Sequence, residues 1–159
     1  MIFEKSYTLK ASEVLNKLNV LLMRDGKKKT VRRKMNTALQ TFAQTKHKKI
    51  RRVDRPDRHM CHLTAMLYQV KPSLETRQVR KGSKYYDVPF DIKENRRLSL
   101  ALRWVARGIR KRPEAGLINQ LQAEFHDLAS LKKGYTVREK KILQKRVRAN
   151  IKYIHFRWR

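Results

Sequence analysis

Residues 74–92 read LETRQVRKGSKYYDVPFDI, and this stretch decides the architecture. Two runs containing Thr, Val and Tyr flank Lys81-Gly82-Ser83, where Gly82 can supply the positive φ of a hairpin turn. Neither run is apolar enough for a core strand, so a protruding arm, solvated or facing a partner, is expected rather than part of a larger sheet. On both sides of it the apolar spacing reads as helix. The expected fold is mainly α, a six-helix bundle-like body with a β-hairpin arm between the third and fourth helices.

Upstream of the arm, Val14, Leu15, Leu18, Leu21 and Leu22 follow the 3.6-residue period, and Gly26 is placed to stop that helix. Val31, Met35, Ala38, Leu39 and Phe42 repeat the pattern, with Lys27, Lys28, Lys29, Arg32 and Arg33 at the front of the segment. Asp54-Arg55-Pro56-Asp57 has the order of a helix start, with an acceptor at the cap and Pro just inside. Met60, Leu63, Leu67 and Val70 would be its buried stripe, ended before Pro72. Downstream, Leu98, Ala101, Leu102, Val105 and Ile109 mark a fourth helix. Beyond Pro113, Leu117, Ile118, Leu121, Phe125 and Leu128 mark a fifth. The last is expected to start at Thr136, paired with Glu139 in a capping box. Leu143, Val147, Ile151 and Ile154 make its packing stripe, with Lys141, Lys145, Arg148 and Lys152 as a cationic stripe beside it.

The chain carries 41 Lys and Arg against 13 Asp and Glu, a formal net charge of +28, while 40% of it is hydrophobic. Disordered basic tails reach such charge by giving up apolar residues. Here enough remains for a core, and one domain spanning 1–159 is expected at this length. Charge is uneven: residues 24–58 hold fourteen basic against three acidic side chains, and 132–159 eleven against one. Such a surface is tolerable beside a dense polyanion, and a nucleic-acid backbone is the densest common one. No apolar run approaches the ~20 residues of a membrane span. Met1 to Lys5 lack the features of a signal or transit peptide, which points to synthesis at the site of use or to a leader outside this sequence. The single Cys61 excludes an intrachain disulfide and points to a reducing compartment.

Catalytic and metal chemistry find little support. His59, Cys61 and His62 form the one metal-like cluster, and no second ligand pair at zinc-site spacing accompanies them. Cys61 has no nucleophile motif around it, and no G-x-S-x-G occurs. A nuclease built on His126 or His155 lacks an indicated acid–base pair. No enzyme activity, metal or cofactor is therefore expected. Charged helix residues usually form only a solvated face, but such a face intersperses Glu and Asp, and the last helix has almost none. Trp104, in an apolar helix, is expected in the core. For Tyr85, Tyr86 and Trp158, base stacking and packing stay open. An architectural DNA-binding protein is the alternative to an RNA-binding one.

Specific strings carry a resemblance. Residues 21–29 read LLMRDGKKK, 85–89 YYDVP, 94–105 ENRRLSLALRWV and 148–159 RANIKYIHFRWR. In this order and spacing, from about Leu15 to Trp158, the chain resembles the small-subunit ribosomal protein seven family, the universal protein of the ribosomal head. The resemblance implies binding to the 3′ major domain of small-subunit rRNA and a part in early head assembly. It also implies an arm near exit-site tRNA and the mRNA path, beside neighbouring head and platform ribosomal proteins. By the same resemblance Lys27, Lys28 and Lys29, then Arg96, Arg97 and Arg103, then Arg148, Asn150, Arg157 and Trp158 contact rRNA. Charge alone adds Arg32, Arg33, Lys141, Lys145 and Lys152. In the arm, contacts with tRNA, mRNA or rRNA fall to Arg77, Arg80, Lys81, Gly82, Lys84 and Tyr85. Where the family often shows two glycines at the tip, this chain has Gly82-Ser83. Its extra basic charge, dense around Thr45 to Arg58, points to the mitochondrial matrix, with a bacterial cytoplasm as the alternative.

Overall fold

Each apolar stripe becomes a helix because another stripe is there to cover it. The computed structural model describes residues 2–46, 58–130 and 134–157, and the side chains of 12–44, 63–130 and 134–157. Its elements are α1 (Ile2–Leu22), α2 (Lys28–Lys46), α3 (Arg58–Val70), β1 (Leu74–Lys81), β2 (Lys84–Asp91), α4 (Glu94–Lys111), α5 (Leu117–Ser130) and α6 (Tyr135–Ala149). A 3-10 helix, Ile151–Arg157, follows. The fold is thus mainly α, with the hairpin between the third and fourth helices.

The central helix is α4, which packs on α1, α3, α5 and α6. Its inner face buries Ala101, Leu102, Trp104, Val105 and Ile109, so Trp104 is core as its setting required. Against it converge Val14, Leu15, Leu18 and Leu22 of α1, and Met35, Ala38, Leu39 and Phe42 of α2. Leu63, Leu67 and Val70 of α3, with Leu121, Phe125 and Leu128 of α5, complete the cluster. Each fully buried side chain of this size contributes about 1.5–3 kcal/mol. The helix start at Asp54 to Asp57 lies outside the described residues, as do the side chains of Met60, His59, Cys61 and His62.

Two turns rest on left-handed residues. Asp25 (φ 50°) and Gly26 (φ 70°) end α1 and redirect the chain into α2. At the arm's tip the strands pair from Leu74↔Asp91 to Lys81↔Lys84, leaving a two-residue loop in which Gly82 has φ 62°. A positive φ at the first loop position alone is the signature of a type II′ turn. The tip is exposed as its composition requires, but the root is not: Glu75, Val88 and Ile92 are buried. There β1 packs on α6, and β2 packs on the 3-10 helix.

Expectations fail at α6. The helix begins at Tyr135 with Gly134 at its N-cap, and no side chain caps it. Thr136 is fully buried and donates its hydroxyl to the Glu124 carboxylate instead. A fully buried carboxylate needs a donor inside the protein, and the Thr136 hydroxyl supplies one. The helix also stops at Ala149, so the packing stripe breaks after Val147. Ile151 (60% exposed) and Ile154 lie on the 3-10 helix, whose three residues per turn carry them off the face of Leu143 and Val147.

One core position works against stability. Asn19 of α1 is fully buried, and neither its amide oxygen nor its nitrogen has a hydrogen-bond partner among the described residues. Asn19→Leu is expected to raise the unfolding free energy by about 1–2 kcal/mol, since it removes a desolvated amide that gains nothing in return. Urea denaturation checks this, and a destabilised variant would show that the amide is needed where it stands.

Candidate nucleic-acid interface

The basic side chains sort into those the body uses and those it leaves free. On α2, Lys28, Lys29, Arg32 and Arg33 are exposed along the first turns, with Lys27 just before them, and Lys29 and Arg33 point away from the buried Val31 and Met35. On α6, Lys141, Lys145 and Arg148 are exposed along one side, and none has a carboxylate partner among the described residues. Their neighbour Lys140 differs, because it donates to the Gln69 carbonyl at the end of α3. The two faces are set by different packing: α2 rests on α1, α3 and α5, whereas α6 rests on α4 and β1.

A third set of cations lies on α4. Arg96, Arg103, Arg107 and Arg110 fall on one exposed side of this helix, a line about 21 Å long at 1.5 Å per residue. At one end Arg96 Nε donates to Glu75 in the arm's root at 2.8 Å. At the other, Arg110 donates to the Leu21 carbonyl at the end of α1, beside the basic turn. Arg103 was expected here; Arg107 and Arg110 were not. Their spacing of four and seven from Arg103 was the available signal. Arg97 faces differently: its Nε donates to the Ile92 carbonyl at 2.7 Å, and Nη1 lies 3.8 Å from Glu94.

In the arm, Gly82, Lys84 and Tyr85 are exposed at the tip, and Arg80 Nε donates to the Gly82 carbonyl at 3.1 Å. Lys81 Nζ sits 5.3 Å above the Phe156 ring. Tyr86 is a packing residue, with its ring 5.0 Å from Tyr153 and 5.2 Å from Phe156. Arg77 turns to Glu75 at the root. Burial would push the Glu75 carboxyl up, but hydrogen bonds from Arg96 and Arg77, and then their charges, outweigh it. They hold it below the ordinary carboxylate range, so it is ionised at neutral pH.

The closing segment is largely structural. Arg157 donates to the Pro89 carbonyl and lies 3.7 Å from Asp91, fastening the 3-10 helix to β2. Asn150 is the C-cap of α6: its backbone N–H reaches back to Arg146, and its side-chain amide donates to the same carbonyl at 2.9 Å. Lys152 is exposed, with Nζ 5.0 Å from the Tyr153 ring. Trp158 lies outside the described residues. His126 and His155 make ring contacts, His126 edge-on to Phe42 at 5.1 Å and His155 4.1 Å from Phe156. Among the described residues no group of His, Cys, Asp and Glu could hold a metal ion, and no helix is long and apolar enough to cross a membrane.

Such a surface can hold phosphates at several points. The family model described as Ribosomal protein S7p/S5e matches residues 3–151. The small ribosomal subunit protein uS7 of Vibrio atlanticus (strain LGP32) is 35% identical over 147 residues, covering 92% of this chain and 88% of that protein. The chain belongs to the S7p/S5e family of ribosomal proteins. Its role is structural, within the small ribosomal subunit, and the family is not an enzyme class.

Proposed function

We propose that the protein binds the 3′ major domain of small-subunit rRNA by neutralising its phosphates, and so organises the head of the subunit. The observation that carries this reading is the run of exposed cations on α2, α4 and α6, among which Arg103, Arg107, Lys141, Lys145 and Arg148 have no carboxylate partner among the described residues. RNA helices display phosphates and shape more readily than base edges. Lys27, Lys28, Lys29, Arg32 and Arg33 form one grip, Arg103 and Arg107 a second, and Lys141, Lys145 and Arg148 a third. Arg97, Asn150 and Arg157 serve the interface indirectly, holding the arm's root and the C-terminal segment. Family membership and the exposed Lys84 and Tyr85 support an arm that meets exit-site tRNA and mRNA. Neighbouring head and platform proteins are its protein partners. The basic excess supports a mitochondrial ribosome.

A competition experiment tests the proposal against DNA binding. Labelled 3′ major domain RNA bound to the protein should be displaced by the same RNA and resist duplex DNA of equal phosphate count. Equal displacement by the two would favour a general DNA-binding protein.

A further inference from the structure

We propose that Arg77 and Arg96 form a phosphate cradle at the root of the arm, with Glu75 as its positioning residue. This deepens the rRNA-binding reading and rests on it. The Glu75 side chain is 9% exposed, whereas Arg77 and Arg96 are 53% and 59% exposed. One Glu75 oxygen accepts from Arg77, with Nε at 2.7 Å and Nη2 at 2.6 Å. The other accepts from Arg96 Nε at 2.8 Å. Two guanidiniums from different elements, β1 and α4, are therefore held side by side by the two oxygens of one carboxylate.

Their remaining N–H groups have no partner among the described residues. A guanidinium carries five N–H donors in a fixed fork, so both terminal nitrogens of Arg96 and Nη1 of Arg77 stay available. Two guanidiniums and one carboxylate leave one net positive charge, matched to one phosphodiester. Phe90 pairs with Glu75 across the strands, and its ring centroid lies 5.5 Å from the Arg77 guanidinium, supporting it from beneath. Exposed arginines lose side-chain entropy when they grip a phosphate. Here the loss is already taken in folding, because a shielded anion fixes both.

A carboxylate in a polyanion-binding surface gives the test its sign. Simple charge counting says that Glu75→Gln, which keeps the shape and removes the negative charge, should tighten RNA binding. The cradle says the reverse: affinity for the 3′ major domain fragment should fall on the order of tenfold, the worth of one charge-assisted contact. Should Glu75→Gln fail to fold, Arg96→Lys keeps the charge without the fork and should show a similar fall. A probe without RNA is inorganic phosphate, titrated while the arginine Nε–H resonances are followed. Arg77 and Arg96 should move together and saturate in the unsubstituted protein, and neither should move in Glu75→Gln. Unchanged or tighter RNA binding by Glu75→Gln, with both resonances indifferent to phosphate, would overturn the cradle and leave rRNA binding standing. Resonances that respond to phosphate in a protein that ignores the RNA fragment would keep the cradle and overturn the rRNA reading.

Discussion

Arg112→Ala is expected to lower the unfolding free energy by about 3–5 kcal/mol, the cost of stripping a buried ion pair of one partner. Arg112 caps the C-terminus of α4. Its Nε donates to Glu124 at 2.9 Å, Nη2 donates to Asp127, and Nη1 lies 3.3 Å from Glu114. Burial alone would push the Arg112 pKa down, but hydrogen bonds and charges from Asp127 and Glu124 raise it above its usual value. Glu124, on α5, is 1% exposed and also accepts the Thr136 hydroxyl from α6, so one carboxylate joins three helices. Without Arg112 that carboxylate keeps, among the described residues, only the Thr136 hydroxyl. Arg112→Lys should recover only part of the loss, because a single ammonium cannot reach in the same forked geometry. Urea unfolding gives the answer, and a loss under about 1 kcal/mol would reduce the network to an ordinary surface bridge.

The same network explains Gly108. Helix propensity favours Ala over Gly by about 1 kcal/mol in an open site. At Gly108 a Cβ would stand 2.8 Å from Glu124 Oε1 and 3.0 Å from Thr136 Oγ1. Neither neighbour can yield without breaking its buried bond. Gly108→Ala should therefore destabilise by about 1–3 kcal/mol, and a raised melting temperature would contradict the packing described.

The second large effect is on binding. Replacing Lys141, Lys145 and Arg148 by Gln should weaken rRNA affinity on the order of a hundredfold near 0.1 M salt, from three lost phosphate contacts. The three side chains are exposed and have no carboxylate partner among the described residues, so thermal stability should hardly change. Val147→Ala, one residue before Arg148 on the buried side, should do the opposite and cost about 1–3 kcal/mol with affinity intact. Equal stability losses in the two variants would mean that the faces of α6 are misassigned.

Local chemistry made most of the fold legible. A 3.6-residue apolar period marks α1, α2, α4 and α5 because each buries a single side, and Gly82 marks the arm because few other residues take that φ. The exposed cations of α6, and Lys29 and Arg33 of α2, were legible for the same reason: what faces away from a stripe faces out. Sequence spacing is silent about partners far along the chain. Thr136 and Glu139 have the capping-box pattern whether or not a buried Glu124 claims the hydroxyl. Arg157 looks like any basic tail residue, yet it is spent on a carbonyl sixty-eight residues away. Ile151 and Ile154 continue the stripe on paper, and only the change to a 3-10 helix after Asn150 exposes them. At the arm's root, three buried apolar residues, Val88, Pro89 and Ile92, were too few to announce packing among so many polar neighbours.

The central claim is that phosphate neutralisation holds this protein to rRNA, and a salt titration of binding to the 3′ major domain fragment tests it most directly. Each neutralised phosphate contributes a slope of roughly −0.7 to −0.9 in log affinity against log salt. Three separated cationic grips predict a total slope steeper than about −5. An affinity nearly independent of salt would contradict the account.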